Sequence, residues 1–291
     1  MKECTLSNRI HCRTEYSALK KVLVAKPSFM KISTVINETQ KHYEDVNIDI
    51  QRALDQHDTF VHVLKEHGVE VVELSAHPEL HEQVFTRDIA FVIHDQLFVA
   101  SMNEEVRLEE TSLLKEWLYE NSIPFHEPFL SSIEGGDVLI DGKTIWIGIS
   151  GRTSLESIET LREQLPSYTI ESLDLEDDIL HLDCVFNIIS DHTALVYPPS
   201  FTDSGLDKLQ SRFNLIPVTR EEQFHMGPNV LSIDEGILIS LPQNQRLNDE
   251  LHSKGFQIIP IDFSEIIKSG GSFRCCTLPL LRSSDHKLDN P

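Results

Sequence analysis

The sequence predicts an α/β fold of five ββαβ units in a pseudo-symmetric ring, closed by pairing of the N- and C-terminal strands. Three observations predict it. Asp88, Glu134, His181, Asn229 and Cys275 recur at gaps of 46, 47, 48 and 46 residues, a period that reads as a repeat architecture. Each of the five opens an apolar strand, and after four of them an apolar hairpin, a helix and a short strand follow. The remaining unit is split, with one strand at each end of the chain.

In chain order, residues 19–24 supply a strand of the split unit. Residues 27–47 show no clear periodicity, and a segment of this length in a compact domain reads as a lid or binding loop, or as disorder. A helix over 48–67, ended by Gly68, and a strand over 69–74 complete this unit. Residues 89–100 form a hairpin turning near Asp95, followed by a helix at 109–120 and a strand at 123–126. In the next unit Asp141-Gly142 is a hairpin turn between 137–140 and 144–147. Leu155, Ile158, Leu161 and Leu165 then have helical spacing over 153–165. Thr153 and Glu156 suggest a capping box, and Pro166 stops the helix. A strand at 168–170 follows. Residues 185–197 turn near Asp191 and lead to a helix at 203–212 and a strand at 214–218. Residues 230–241 turn at Asp234-Glu235-Gly236 and lead to a helix at 246–254 and a strand at 256–261. Residues 275–281 give the last strand.

Closing the ring removes exposed sheet edges. No unit alone can bury its apolar face, so residues 1–291 are expected to fold as one domain. A two-domain Rossmann-like protein is the structural alternative, but no G-x-G-x-x-G follows the first strand.

A formal charge of −22 makes nucleic acid a poor partner. The charge is read mainly as solvated helix faces, with an acidic cleft for a cationic substrate as the functional alternative. No apolar run is long enough to span a membrane, and the start, Met1-Lys2-Glu3-Cys4, lacks a signal-peptide core. The five scattered cysteines include no C-x-x-C pair, so neither a disulfide framework nor a zinc site is expected. A reducing cytoplasm is the expected setting.

The chemistry concentrates at the unit openings. In Gly270-Gly271-Ser272-Phe273-Arg274-Cys275-Cys276, two glycines precede a cysteine placed to act as a nucleophile. Cys276, expected on the opposite face of the strand, is assigned to packing. In His181-Leu182-Asp183, strand alternation places His181 and Asp183 on one face, and a histidine carries protons near neutral pH. Glu134, in Glu134-Gly135-Gly136-Asp137, is suited to orient that histidine. Asp88, in Phe85-Thr86-Arg87-Asp88, is suited to clasp a cation by paired hydrogen bonds, unless it simply pairs with Arg87. Arg152, in Gly148-Ile149-Ser150-Gly151-Arg152-Thr153, and Arg107 are placed to grip a carboxylate, although Glu110 offers Arg107 an ordinary helix pair. Asn229 is assigned to satisfying backbone groups.

Together, in this order and spacing, these motifs resemble the guanidino-modifying superfamily of arginine deiminases, amidinotransferases and dimethylarginine dimethylaminohydrolases. The resemblance covers nearly the whole chain. It implies a pentein-type five-bladed α/β propeller with a central site. It implies Cys275 as nucleophile, His181 as general acid/base and Glu134 as its partner. Asp88 and Asp183 would clasp the guanidinium, and Arg152 and Arg107 would bind a carboxylate. No metal or organic cofactor is implied. The partner would be a small guanidino compound, and a homo-oligomer is compatible with the chain.

The implied reaction is hydrolysis through a covalent thiouronium, giving a ureido product such as citrulline. In length the chain is similar to the dimethylarginine hydrolases. Asp183 is similar to the deiminases and amidinotransferases, and Arg87 departs from the hydrolase pattern. An arginine deiminase or an amidinotransferase is therefore the enzymatic alternative. A non-catalytic binding propeller, like the ribosome anti-association factor of that architecture, is the alternative from another class.

Overall fold

The computed structural model describes residues 8–283, so Cys4 and the start read for a leader lie outside it. Among the described residues the chain forms five small sheets, each opened by an antiparallel pair. The hairpins are β3 (Ala90–Ile93) with β4 (Gln96–Val99), β5 (Val138–Asp141) with β6 (Thr144–Ile149), β8 (Phe186–Ser190) with β9 (Thr193–Val196), and β11 (Leu231–Asp234) with β12 (Ile237–Ser240). The fifth pair joins β14 (Leu278–Arg282) antiparallel to β1 (Leu19–Ala25), so the first and last strands share a sheet.

A helix follows the middle strand of each three-stranded sheet, and β4 of the two-stranded one: α2 (Ile50–Glu66), α3 (Leu108–Glu120), α4 (Leu155–Gln164), α5 (Asp203–Arg212) and α7 (Gln245–Ser253). After four of these helices a strand returns parallel to that middle strand: β2 (Glu70–Leu74), β7 (Thr169–Asp174), β10 (Asn214–Pro217) and β13 (Gln257–Pro260). The helices bury their apolar stripes against the sheets, through Phe60 and Leu64, Leu114 and Leu118, Ile158 and Leu161, Leu209, and Leu247 and Leu251. Gly142 and Gly236 turn their hairpins at φ of +63° and +76°, a region that glycine enters without steric cost.

The strand expected at 123–126 does not form. One parallel bridge, Phe98 to His126, stands in its place. Pro124 and Pro128 lack the N–H that a ladder needs on either side of that rung. The α4 cap also shifts by one residue. Ser154 is the N-cap and accepts from the Ser157 N–H, while the Thr153 hydroxyl accepts from the Glu134 N–H.

The segment 27–47 is ordered and carries a helix, α1 (Glu38–Tyr43), capped by Asn37. A further short helix, α6 (Arg220–Phe224), has a full Thr219/Glu222 capping box. Cys275 and Cys276 lie in a turn before β14 rather than in the strand, with the Cys276 N–H donating to Ser272 O at 2.9 Å. Among the described residues no helix is long and apolar enough to cross a membrane. Cys12, Cys184, Cys275 and Cys276 are free thiols.

Candidate active site

The five periodic residues all sit just before the first strand of a sheet, and all are buried: Asp88, Glu134, His181, Asn229 and Cys275. Tight turns deliver three of them. A 3₁₀ turn over Gly135–Asp137 follows Glu134, and another over Leu182–Cys184 follows His181. Cys275 lies in the 273–276 turn. His181 and Asp183 therefore reach the site from a turn, not by strand alternation. The turns lock together, because Asp137 Oδ1 accepts from the Leu182 N–H at 2.8 Å and Oδ2 from the Ser150 hydroxyl at 2.7 Å. Gly136 makes the fit possible: a Cβ there would lie 2.8 Å from Asp88 Oδ1 and from the His181 ring.

Two groups of side chains face one cavity. In the first, His181 Nε2 lies 2.8 Å from Glu134 Oε2, and His181 Nδ1 lies 3.7 Å from Asp88 Oδ1. Burial alone would push the His181 imidazole down. The Asp88 charge, the Glu134 hydrogen bond and nearby Asp137 outweigh it and hold the pKa up at about 10, so the ring is an imidazolium at neutral pH. Burial likewise opposes the Glu134 charge, but the His181 hydrogen bond and the Arg107 and Arg152 charges hold its carboxyl below the usual range.

In the second group, the Asn229 amide Nδ2 donates to Cys275 Sγ at 3.0 Å. Asn229 Oδ1 accepts from the Ser272 and Cys275 N–H groups. Both Asp183 carboxylate oxygens lie 3.7 Å from Cys275 Sγ. Burial raises the Asp183 pKa, and Arg274 and His181 only partly offset it. Arg274 Nε lies 3.2 Å from Asp183 Oδ2, and its Nη1 also pairs with buried Glu15. Arg87 turns towards Glu15 at 3.8 Å and makes no pair with Asp88.

Asp88 instead pairs with Arg107 at 2.6 Å. Arg107 also forms the pair with Glu110 and donates to Phe85 O. Its guanidinium is thus engaged on Asp88, Glu110 and the backbone, which leaves it little to offer a ligand carboxylate. Arg152 differs. Its Nη2 donates to Ile36 O at 2.7 Å, its Nε lies 3.5 Å from Glu104, and its buried Nη1 lies 3.9 Å from Glu134 with no hydrogen bond among the described residues. Asp88 Oδ1 and His181 Nδ1 are likewise buried without one.

The cavity is small, about 10 Å³, and is lined by Asp88, His181, Cys275, Arg107 and Arg152, and also by Glu82, Ile36 and Asn37. Its outer wall is therefore the segment that ends in α1. Gln40 of α1 donates to Glu82 Oε1 at 2.8 Å, and Ser269 donates to the same carboxylate. The larger depression, about 720 Å³, lies outside α1 and holds none of the periodic residues.

Sequence reasoning missed Glu82, Arg274, Glu15 and the Asn229–thiol contact. Only Asn229 carried a signal, its place in the period. Glu82 is testable by pH. Burial raises its pKa to about 7, with Arg107 opposing and Glu110 adding. A carboxyl held above its unfolded value favours the protonated native state, so this contribution to stability falls as pH rises from about 4.5 through 7. Glu82→Gln mimics the protonated acid. Thermal unfolding at pH 5 and pH 8 is expected to show wild type losing on the order of 2 kcal/mol relative to the variant. Equal losses would contradict a buried, proton-holding Glu82.

Comparison with known proteins bears on this constellation. The family described as N,N dimethylarginine dimethylhydrolase, eukaryotic, matches residues 26–282. The chain belongs to this dimethylarginine dimethylhydrolase family. It is 51% identical over 271 residues to the uncharacterized protein YkgA of Bacillus subtilis (strain 168), covering 93% of this chain and 95% of that protein. It is 27% identical to the N(G),N(G)-dimethylarginine dimethylaminohydrolase of Mycobacterium tuberculosis, covering 90% of this chain and 86% of that one. The crystal structure of an ArgZ N-terminal domain variant, covalently bound to a reaction intermediate, matches with a TM-score of 0.83 at 25% identity. It covers 90% of this chain and 98% of that one. The family lies within the guanidino-modifying pentein superfamily, and the chain is an amidine C–N hydrolase in class.

Proposed function

We propose that this dimethylarginine dimethylhydrolase family member is a cysteine hydrolase of an arginine-type guanidino substrate, working through a thiouronium on Cys275. One observation carries the reading. Cys275, His181, Asp88 and Arg152 line one cavity, with Glu134 held against His181 and with Asp183 and Asn229 held against the thiol. In this reading the five sheets are the blades of one closed propeller domain, working in a reducing cytoplasm without a resident cofactor.

Asp88 Oδ1 and Asp183 accept from the guanidinium N–H groups, and Arg152 Nη1 donates to the substrate carboxylate. Arg107 holds Asp88 in position. The Cys275 thiolate, with the Asn229 N–H on it, attacks the guanidinium carbon. Imidazolium His181 protonates the leaving amine, which is ammonia from arginine or an alkylamine from a methylated arginine. Neutral His181 then takes a proton from water as the water attacks the thiouronium carbon. The thiolate leaves, and citrulline departs. Each half-reaction has a good leaving group, which is the advantage of the covalent route. The segment 27–47 would act as a lid, because Ile36 and Asn37 wall the cavity and substrate must pass them.

Ureido product from arginine, mono- and dimethylarginine and agmatine tests the reading. Added glycine or ornithine tests the amidinotransferase alternative, which requires transfer of the amidino group to the amine. Losing a charge-assisted contact costs about 1.5–3 kcal/mol. Arg152→Ala is therefore expected to raise KM for arginine by roughly 10- to 100-fold and to leave agmatine, which has no carboxylate, little changed. Equal effects on both would remove Arg152 from carboxylate binding.

A further inference from the structure

A second thiol beside Cys275 plays no part in the hydrolysis derived above. Cys184 ends the turn that follows His181 and is buried. Cys184 Sγ, Cys275 Sγ and an Asp183 carboxylate oxygen all lie within 4.8 Å of one another. Cys184 Sγ is placed to donate to Asp183 Oδ1 at 3.7 Å, the same carboxylate that faces Cys275 at 3.7 Å. Contact with Cys275 comes first, ahead of burial, among the causes that hold the Cys184 thiol well above its usual pKa. The two sulfurs are therefore direct neighbours, brought together from residues 91 positions apart.

We propose that Cys184 is a resolving thiol for Cys275, so that a hydroperoxide converts the pair into a reversible disulfide instead of destroying the nucleophile. Cys275 attacks the distal peroxide oxygen. An S–O bond forms, the O–O bond breaks, and water or an alcohol leaves, giving a sulfenic acid. Cys184 sulfur then attacks the Cys275 sulfur. Its proton passes to Asp183, the S–O bond breaks, and hydroxide leaves as water with the proton that Asp183 relays. Two thiols and one peroxide give one disulfide, water and an alcohol or a second water.

The geometry favours this bond over other outcomes at Cys275. A disulfide needs the sulfurs, which lie within 4.8 Å of each other, to close to about 2.05 Å. Cys276 adjoins Cys275 in sequence and in the same apolar cluster, but only Cys184 shares the Asp183 carboxylate with Cys275. Cys12 has burial as the main cause raising its pKa to about 12, and its Sγ donates instead to Pro279 O. Neither has a carboxylate shared with Cys275.

The test treats the whole protein with hydrogen peroxide at neutral pH, maps peptides without reduction, and repeats the mapping after dithiothreitol. Wild type is expected to give a Cys184–Cys275 cross-linked peptide and to lose two hydrogens in mass, and dithiothreitol should reverse both. Cys184→Ser and Cys184→Ala should instead accumulate two or three oxygens on Cys275. Reducible Cys275 should be roughly tenfold more abundant in wild type than in either variant. Absence of the cross-link in wild type, a Cys275–Cys276 bridge in its place, or equal recovery in wild type and variants would overturn the proposal. The cross-link is read by mass and needs no turnover. Loss and recovery of hydrolysis with the disulfide rests on the proposed function, so an inactive protein that still forms the bridge would contradict that function and not the thiol pair.

Discussion

Cys275→Ser is expected to lower guanidino hydrolysis by about 10⁴-fold or more, the scale on which nucleophile deletions act. The size of the effect follows from the chemistry. Serine keeps the Asn229 contact and the small volume, but its hydroxyl ionises far less readily than a thiol, and an alkoxide is a poorer leaving group in the second step. The site offers serine no base in its resting state, because His181 is held protonated by Asp88 and Glu134. Substrate binding should survive, since Asp88, Asp183 and Arg152 are untouched. Calorimetry of the variant with arginine should therefore show retained affinity with turnover abolished. Activity within tenfold of wild type would remove Cys275 from the chemistry.

His181→Asn is expected to lower kcat by roughly 10²- to 10⁴-fold, the usual contribution of a positioned acid or base. The wild-type ring is held protonated up to about pH 10. With a pKa raised above its unfolded value, the stability that His181 contributes is full below about pH 6.5 and is lost as pH rises towards 10. Wild-type turnover should therefore fall on the alkaline side as His181 loses its proton, and that limb should vanish in the variant. The variant should also be less stable at neutral pH, because Glu134 keeps its buried charge and loses its 2.8 Å partner. Full activity with an unchanged pH profile would contradict a proton-transfer role.

The repeat was legible because it is written in two independent signals. Hydrophobic periodicity marked the hairpins and helices, and the spacing of Asp88, Glu134, His181, Asn229 and Cys275 marked the point from which each unit faces the site. The turn glycines were legible for their φ requirement, as at Gly142. The role of Gly136 was not, because its neighbours Asp88 and His181 are remote in sequence. The same holds for Arg274–Glu15 and Asp88–Arg107, ion pairs whose partners only the tertiary structure brings together. Arg107 showed its helix partner Glu110 in the sequence, but not its second partner, Asp88. Glu82 belongs to no motif spacing, and its raised pKa depends on burial beneath Gln40. The strand expected at 123–126, which does not form, had a visible warning in Pro124 and Pro128. The α6 cap was visible as Thr219 three residues before Glu222.

The most direct test of covalent catalysis is to mix the protein with excess arginine, quench in acid within the first turnovers, and weigh the intact chain and its peptides. A fraction of the protein should be heavier by arginine less ammonia, with the added mass on the peptide carrying Cys275. That species should form and decay at rates compatible with citrulline release. Citrulline formed at full rate with no adduct, or with an adduct on any residue other than Cys275, would contradict the thiouronium route.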